Sequence, residues 1–267
     1  MISVVVPTRH RPEALARCLA ALARQRVDAL QVIVVNDGTA PVTAPGADVV
    51  RAAGAGPAAA RNLGARAARG GVICFTDDDC APGPDWARRL AGACADGGAA
   101  AGTTIADPAA GTAAAAAQLL TNTLMTTSRD NATGGLRFAP TCNLACHAAT
   151  FRALAFDESF ALAAGEDRDW CARLVDTGAV LRHVPDAVVV HRPALGVRGL
   201  VRQQLRYGRG AVGFRDAGGS PAGAVFYREL ARASSRAGVN TAALVALAQV
   251  SVAAGAVAEL TQQRFAR

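Results

Sequence analysis

Short apolar runs alternate with helical segments over the first 100 residues, and this alternation constrains the fold more than any other feature of the chain. The apolar runs of strand length are residues 2–6, 31–35, 48–51 and 72–76. Strands that alternate with helices are typical of α/β domains in which neighbouring strands run parallel. The sequence therefore predicts an α/β domain with a mostly parallel central sheet flanked by helices.

Polar side chains follow three of these predicted strands. They form three clusters, at residues 7–11, 36–38 and 77–79. Ligands of open α/β sheets bind in the crevice outside the carboxyl ends of the strands. We therefore expect the three clusters to face one crevice.

The third cluster consists of three consecutive aspartates, Asp77, Asp78 and Asp79. Like charges at this spacing repel and raise the pKa of one another, and a bound cation relieves that cost. Oxygen-rich sites suit Mg²⁺ or Mn²⁺. The alternative is a solvated acidic turn ahead of the helix predicted to begin at Pro84.

Further carboxylates begin a helix predicted over residues 166–176. Acidic residues are favoured at helix N-termini, which explains Asp169 but explains less well the adjacent pair Glu166 and Asp167. A carboxylate at a cleft can serve as a general base. His191 ends an apolar strand, where a lone histidine is usually structural but can also complete a metal site.

Residues 54–59 fit the dinucleotide-binding pattern G-x-G-x-x-A. This match keeps an NAD-dependent oxidoreductase open as an alternative. Two predicted strands precede the match, whereas that fingerprint usually opens the first βαβ unit.

The seven cysteines are an odd number without a paired metal-ligand spacing. They argue against a disulfide framework and favour a reducing, cytoplasmic compartment. Cys142, Cys146 and His147 form at most a zinc half-site, so we predict buried structural cysteines there. The N-terminus has no basic segment ahead of its apolar run, which argues against a signal peptide.

The net charge of +7 is concentrated in one segment. Residues 192–236 hold nine arginines against Asp216 and Glu229, and the rest of the chain has 19 residues of each sign. This distribution, with only 4% aromatic residues, argues against a nucleic-acid partner. Arginines on one predicted helix face can meet anionic lipid, a phosphate-bearing acceptor or solvent. They are Arg198, Arg202, Arg206 and Arg209.

Residues 239–260 form an apolar stretch with a single charge, Glu259. The stretch is long enough to span a bilayer, but it is mostly alanine and few of its residues favour insertion. We predict a helix that docks on the catalytic domain or on a partner, with shallow membrane contact as the alternative.

Six motifs between residue 3 and about residue 192 resemble, in order and spacing, those of the GT-A fold glycosyltransferases of family 2. They are residues 4–8 followed by Arg11 and Pro12, residues 34–38, residues 60–64, the D-x-D motif of residues 75–79, the E-D motif of residues 165–167, and Asn143 with Phe151. The first loop departs from the family's usual Pro-Thr-Tyr-Asn, because Arg9 and His10 follow Pro7 and Thr8.

The resemblance implies a metal-dependent, inverting transfer of a sugar from a nucleotide-sugar, most often a UDP-sugar, to an acceptor hydroxyl. It implies a catalytic site of Asp167, as the general base, and Glu166. It implies Mn²⁺ or Mg²⁺ bound by Asp79 and His191, with Asp77 near the ribose or the metal. The implied nucleotide-binding residues are Pro7, Thr8, Arg9, Arg11, Asp37, Arg61, Asp77 and Asp78. The implied acceptor-side residues are Asn143 and Trp170.

The same resemblance implies a Rossmann-like GT-A domain over residues 1–195, with a nucleotide-binding half (1–104) and an acceptor half (105–195). A helical extension follows over residues 196–267. The acceptor stays open between a small molecule, a glycan and a lipid-linked molecule, and residues 196–236 can make peripheral contact with the inner membrane face. A non-catalytic nucleotide-binding subunit remains a further alternative.

Overall fold

A mixed eight-stranded sheet forms the centre of the protein. The structure is a computed structural model that describes residues 1–94, 96–130, 132–160, 165–216 and 223–265, without the side chains of residues 213–216. The strands are β1 Ile2–Thr8, β2 Leu30–Asn36, β3 Asp48–Arg51, β4 Val72–Phe75, β5 Cys80–Pro82, β6 Ala99–Ala106, β7 Leu144–His147 and β8 Leu181–His191. The helices of the described ranges are α1 Pro12–Leu22, α2 Pro57–Ala67, α3 Trp86–Ala93, α4 Gly111–Thr127, α5 Ala148–Ala153, α6 Glu166–Asp176, α7 Val197–Asp216, α8 Ala224–Arg236 and α9 Val239–Phe265.

The sheet has the strand order β3-β2-β1-β4-β7-β6-β8-β5. Strands β3, β2, β1 and β4 are parallel, β7 is antiparallel to both β4 and β6, and β8 is parallel to β6. The carboxyl ends of β1, β2, β4, β6 and β8 therefore lie at one edge. This topology brings His191, at the end of β8, to the same edge as the aspartates that follow β4.

Both faces of the sheet are buried, which explains the continuous apolar runs in its strands. Successive residues of β1 alternate between two cores, because side chains along a strand point to opposite faces. Val4 and Val6 pack with Leu15 and Trp86 on one side. Val5 packs with the aromatic cluster of Phe75, Phe151, Phe156 and Trp170 on the other.

The C-terminal helices pack on α4 through a third apolar cluster. Its fully or nearly fully buried members are Ala113, Ala116 and Leu120 of α4, Leu200 of α7, Phe226 and Leu230 of α8, and Val245 and Ala248 of α9. Helix α9 also lies directly along α7. The apolar stretch predicted to dock on protein is thus one helix whose inner face contacts three others.

Helix α9 is long and apolar enough to cross a membrane, judged by length and composition only. A helix that packs on a protein surface passes the same test. Its buried face carries Thr241, Val245, Ala248, Ser251 and Gly255.

Two parts of the sheet differ from the sequence prediction. Residues 180–190 contain apolar residues on both sides of Pro185 and Asp186, a pattern that predicts two short strands. The structure instead has the single strand β8 with an irregularity there, since the partner residue shifts from Val184 to Val188 between Gly102 and Thr103 of β6. Such a bulge keeps a proline out of the hydrogen-bonded ladder. The strands β5 and β6 and the helix α5 were not predicted. Strand β6 begins with three alanines, which are depleted in strands.

Candidate active site

A cavity of about 490 Å³ opens beside the carboxyl edge of the sheet. The sheet edge contributes Asp77 and His191 to its wall, α2 contributes Arg61, and the start of α6 contributes Glu166 and Asp167. The structure therefore brings together residues that are as much as 130 positions apart in the sequence. The opposite wall comes from α4 and the C-terminal helices.

The three consecutive aspartates take different environments. Asp78 points into the protein, where its Oδ2 accepts a hydrogen bond from Thr8 Oγ1 at 2.6 Å and its Oδ1 lies 2.8 Å from Arg11 Nη2. Burial raises the pKa of Asp78 to about 6, although Arg11 and Thr8 act in the opposite direction. Asp78 is fully buried and holds the loop after β1 through Thr8 and Arg11, so its side chain is not exposed for the expected contact with nucleotide.

Asp79 forms a pair with His191. Its Oδ1 is 3.3 Å from His191 Nε2, and its Oδ2 accepts a hydrogen bond from Arg11 Nη1 at 2.7 Å. The other ring nitrogen of His191 donates to Oε1 of Gln118 at 2.9 Å, since that amide oxygen can only accept. Gln118 is itself fixed by a hydrogen bond from its Nε2 to Asn122 on the next turn of α4.

The Asp79–His191 pair fits Mn²⁺ or Mg²⁺. The ligand atoms of Asp79, Cys80 and His191 all lie within 4.8 Å of one another. A carboxylate oxygen suits both ions, whereas an imidazole nitrogen suits a transition-metal ion such as Mn²⁺ better than Mg²⁺, which prefers oxygen ligands. Burial raises the pKa of the Cys80 thiol well above its ordinary value, so this sulfur stays protonated and is a poor ligand. Burial lowers the pKa of His191, but Asp79 outweighs it and raises the value to about 9, so a metal ion has to displace that proton.

Arg61 joins the aspartate cluster to α6. It is buried, and its Nη2 donates to Asp77 Oδ1 at 2.8 Å while its Nη1 donates to Glu166 Oε1 at 3.2 Å. Burial and the adjacent Asp167 raise the pKa of Glu166 to about 7, and Arg61 opposes them. Glu166 Oε2 has no hydrogen-bond partner among the residues that the structure describes.

Asp167 lies next to Glu166 on the cavity wall. Its Oδ1 accepts a hydrogen bond from the backbone N–H of Arg168 at 2.8 Å. Burial raises the pKa of Asp167, and Arg61 partly offsets the rise. A carboxylate in this setting is a stronger base than one in water and can take a proton from a hydroxyl group.

A second polar cluster lies where β1 and β2 end. The backbone N–H of Asp37 donates to the carbonyl of Thr8 at 2.9 Å, and Pro7 lies opposite Val35 in the parallel ladder. Asp37 is buried, and in the described part of the chain its Oδ1 has no hydrogen-bond partner. Exposed Arg9 Nη1 is 4.0 Å from Asp37 Oδ2. A buried carboxylate oxygen without a partner is suited to a ligand that donates hydrogen bonds.

Two expected acceptor-side residues, Asn143 and Trp170, lie in the core instead. The Asn143 side chain accepts from Trp86 Nε1 at 2.8 Å and donates to Thr104 Oγ1 and the carbonyl of Ala187. Trp170 is fully buried, and its Nε1 donates to the carbonyl of Leu154. Both side chains use their polar groups within the protein, so neither is available to an acceptor.

Helices α4 and α7 also contribute residues to the cavity that no sequence motif indicates, among them Gln118, Gln204 and Tyr207. Gln204 and Tyr207 are three residues apart on one helix face, but this spacing has the same appearance in any packed helix. Partial burial and the negative charge of Asp167 raise the pKa of Tyr207, whose side chain is 40% exposed, so its hydroxyl stays protonated close to Asp167 and Glu166.

Comparison with known proteins agrees with this geometry. Residues 3–158 match the family described as Glycosyl transferase family 2. The chain is 30% identical over 228 residues to the pre-mycofactocin glycosyltransferase of Mycobacterium tuberculosis, a match that covers 79% of this chain and 47% of the relative. It is 27% identical over 230 residues to glycosyltransferase AglE of Haloferax volcanii, covering 79% and 73%.

Two solved structures share the fold. The mannosyltransferase PcManGT from Pyrobaculum calidifontis, in complex with GDP-Man and Mn²⁺, aligns with a TM-score of 0.58 at 20% identity over 96% of this chain and 75% of that one. Residues 1–349 of S. aureus TarS, in complex with UDP, align with a TM-score of 0.57 at 16% identity over 78% and 64%.

The fold and the cavity at its carboxyl edge define a GT-A type α/β protein. The chain belongs to glycosyl transferase family 2. It spans about half the length of the mycobacterial relative. Membership of this family argues against the alternative of an NAD-dependent oxidoreductase. Residues 54–59 also follow the edge strand β3, whereas the dinucleotide-binding pattern usually follows the first strand of the sheet.

Proposed function

We propose that this protein transfers a sugar from a nucleotide-sugar donor to an acceptor hydroxyl, with inversion at the anomeric carbon. A UDP-sugar is the donor we propose first. The observation that carries the proposal is the position of Asp167, which lines the same cavity as Asp77, Arg61 and His191. The proposed general base and the residues proposed to bind the diphosphate then line the same cavity. The donor assignment is supported by the UDP and GDP-Man complexes of the two structural neighbours.

The donor would extend from the end of β2 to the cavity. Asp37, with its free oxygen, and the adjacent backbone of Pro7 and Thr8 would contact the base, and exposed Arg9 would stack on the base or reach a phosphate. Asp77 would lie near the ribose. Arg61 would hold Asp77 and Glu166 in place, and its charge would favour the diphosphate.

The reaction is a displacement at the anomeric carbon. The acceptor oxygen forms a bond to that carbon, the bond between the carbon and the diphosphate oxygen breaks, and its electron pair leaves with the nucleoside diphosphate. Asp167 takes the acceptor proton. Asp79 and His191 would hold Mn²⁺ or Mg²⁺, which supplies positive charge beside the leaving diphosphate.

Replacing the general base tests the proposal. We expect Asp167→Asn to lower kcat by about 10²–10⁴-fold, because the amide cannot accept the proton, while donor affinity stays close to that of the wild type. Asp176→Asn is the matched control, since Asp176 is exposed at the other end of α6. The measurement is release of nucleoside diphosphate and formation of glycoside, after a donor screen with UDP-, GDP- and dTDP-sugars. Equal turnover in D167N and D176N would refute the role of Asp167.

The metal role has its own test. We expect calorimetric titration with UDP to show tighter binding with Mn²⁺ than with EDTA, and we expect this difference to disappear in Asp79→Ala. Asp28→Ala is a control, because Asp28 is exposed in the loop between α1 and β2, at the opposite edge of the sheet. UDP binding that is insensitive to both EDTA and D79A would contradict a metal at Asp79.

We also propose peripheral contact between the C-terminal helices and an anionic membrane. Two features support it: Arg198, Arg202, Arg206 and Arg209 are all exposed on α7, and the outward face of α9 is apolar. No described carboxylate forms a salt bridge with any of the four arginines. Basic residues on one element next to exposed apolar ones on another suit an anionic bilayer surface.

A further inference from the structure

The cavity has two chemically different ends. Every charged side chain in its wall comes from α2, the segment after β4, the start of α6 or the end of β8. The described residues of α4, α7, α8 and α9 contribute no charged side chain to it. Their contribution includes Leu120 and Leu124 of α4, Phe226 of α8, and Val252 and Ala256 of α9.

The apolar end continues to the protein surface. Ala253 lines the cavity and is also exposed on the outward face of α9, and Tyr227 of α8 lines the cavity while 55% exposed. The outward face of α9 continues with exposed Leu247, Val250 and Val257.

Helix α9 is apolar on its outward face as well as on much of its buried face, unlike a helix on the surface of a soluble domain. Thr241 and Ser251 are buried against the protein, whereas valines and leucines of the same helix face outward. An exposed apolar surface of this kind marks an interaction site. The apolar wall of the cavity and the apolar surface meet at Ala253.

We propose that the acceptor is an amphiphile: a hydroxyl group on a hydrocarbon tail, with the hydroxyl at Asp167 and the tail between α4, α8 and α9. This assignment depends on the proposed transferase function and names its substrate class. A glycan needs hydrogen-bond partners along its length. The helices of this end offer it only neutral polar groups, those of Gln118, Thr121, Gln204, Tyr207, Tyr227 and Gln249, and Gln118 is already bonded to His191 and Asn122.

The surface around the cavity supports a membrane lipid as this amphiphile. Helix α7 contributes Gln204 and Tyr207 to the wall. Arg206 lies between them on the same helix and is exposed, and its charge acts to lower the pKa of the Tyr207 hydroxyl. Arg206 therefore places positive charge beside the part of the cavity wall that α7 forms. That charge is complementary to an anionic bilayer from which such an acceptor would enter. During transfer the tail stays bound, and only the hydroxyl oxygen gains a bond to the sugar.

The test uses primary alcohols from ethanol to octanol as minimal acceptors. Their affinity for the full chain with UDP and Mn²⁺ is measured by calorimetry, and glycoside formation from the best donor is followed by mass spectrometry. We expect each added methylene to tighten binding by up to about fourfold until the tail fills the cavity. Nucleotide binding and donor hydrolysis are measured separately, so failure of the transferase proposal is distinguishable from failure of the acceptor assignment.

Two variants locate the tail. Ala253→Trp covers the mouth and should weaken octanol binding on the order of tenfold while leaving ethanol unchanged, because only the longer chain reaches that point. Ala254→Trp is the control, since Ala254 is exposed one position further along and lies outside the cavity wall. Val252→Gln, which puts an amide in the apolar wall, should have the same selective effect as A253W. Affinity independent of chain length, or equal behaviour of A253W and A254W in folded protein, would overturn the assignment.

Discussion

At the residue scale, Glu166 connects the site to the stability of the fold. Its pKa of about 7 in the folded protein lies above the ordinary value of 4.5. Between these two pH values the folded state binds more protons at Glu166 than the unfolded state does. The contribution of this group to stability is therefore greatest at low pH and is lost as the pH rises through about 7.

We expect Glu166→Gln to remove this pH dependence. The free energy of unfolding of the variant, relative to the wild type, should rise by up to about 3 kcal/mol from pH 4.5 to pH 8. Urea unfolding in EDTA at several pH values measures it. Glu229→Gln is the control, because Glu229 lies on α8 in an ion pair with Arg232 and is far from the buried carboxylates in sequence. Parallel stability curves for E166Q and the wild type would contradict the raised pKa.

Local patterns predicted much of the candidate site, because strand ends and helix starts are visible in the sequence. Asp77, Asp79, Glu166, Asp167 and His191 were all predicted from such positions. The inward orientation of Asp78 was not predictable, since it depends on Thr8 and Arg11 about 70 positions away. The fixing of His191 by Gln118 likewise depends on a contact across 73 positions.

At the element scale, the prediction was accurate where an element has its own pattern. Strand β3 and helix α6 have the predicted bounds, because each is delimited by turn residues. Strand β6 was missed because its alanines carry no strand signal and it is fixed by pairing with β7 and β8. Local propensity does not predict a strand that is stabilised mainly by pairing with its neighbours.

The crossing of α7 and α9 depends on two glycines. A Cβ added to Gly208 would lie 2.0 Å from the carbonyl oxygen of Val252, and one added to Gly255 would lie 2.1 Å from that of Leu205. The two backbones are therefore too close for any side chain at these positions. This close contact between α7 and α9 fixes the position of the α9 residues that line the cavity.

We expect Gly208→Ala and Gly255→Ala each to lower the free energy of unfolding by about 1–3 kcal/mol, because the helices have to separate. Gly92→Ala is the control: Gly92 also lies in a helix, and an added Cβ there meets no atom within 4 Å. That substitution should be neutral or stabilise by up to about 1 kcal/mol. Urea unfolding compares the three variants, and a neutral effect at both Gly208 and Gly255 would show that the crossing is looser than described.

At the scale of the whole molecule, charge and apolar surface are both concentrated in the C-terminal helices. The sequence located the basic excess in residues 192–236, but the outward apolar face of α9 became visible only with the packing of α7, α8 and α9 on α4. Which face of this largely apolar helix is buried cannot be derived from its composition. The helices that would contact a membrane in our proposal also form part of the cavity wall.

The proposed membrane contact predicts that the protein floats with vesicles of phosphatidylcholine and phosphatidylglycerol, and much less with phosphatidylcholine alone. Replacing Arg198, Arg202, Arg206 and Arg209 together by Gln should weaken binding by up to about 10³-fold, at about 1 kcal/mol per arginine. High salt should weaken wild-type binding in the same direction. The control carries the same net charge through Gln at exposed Arg17, Arg24, Arg66 and Arg152, which lie on or beside other helices. Equal losses in the two quadruple variants would mean that net charge, and not the α7 surface, governs binding. If the α7 variant still binds the vesicles as tightly as the wild type, the arginines do not contribute and the apolar face of α9 alone would account for the contact.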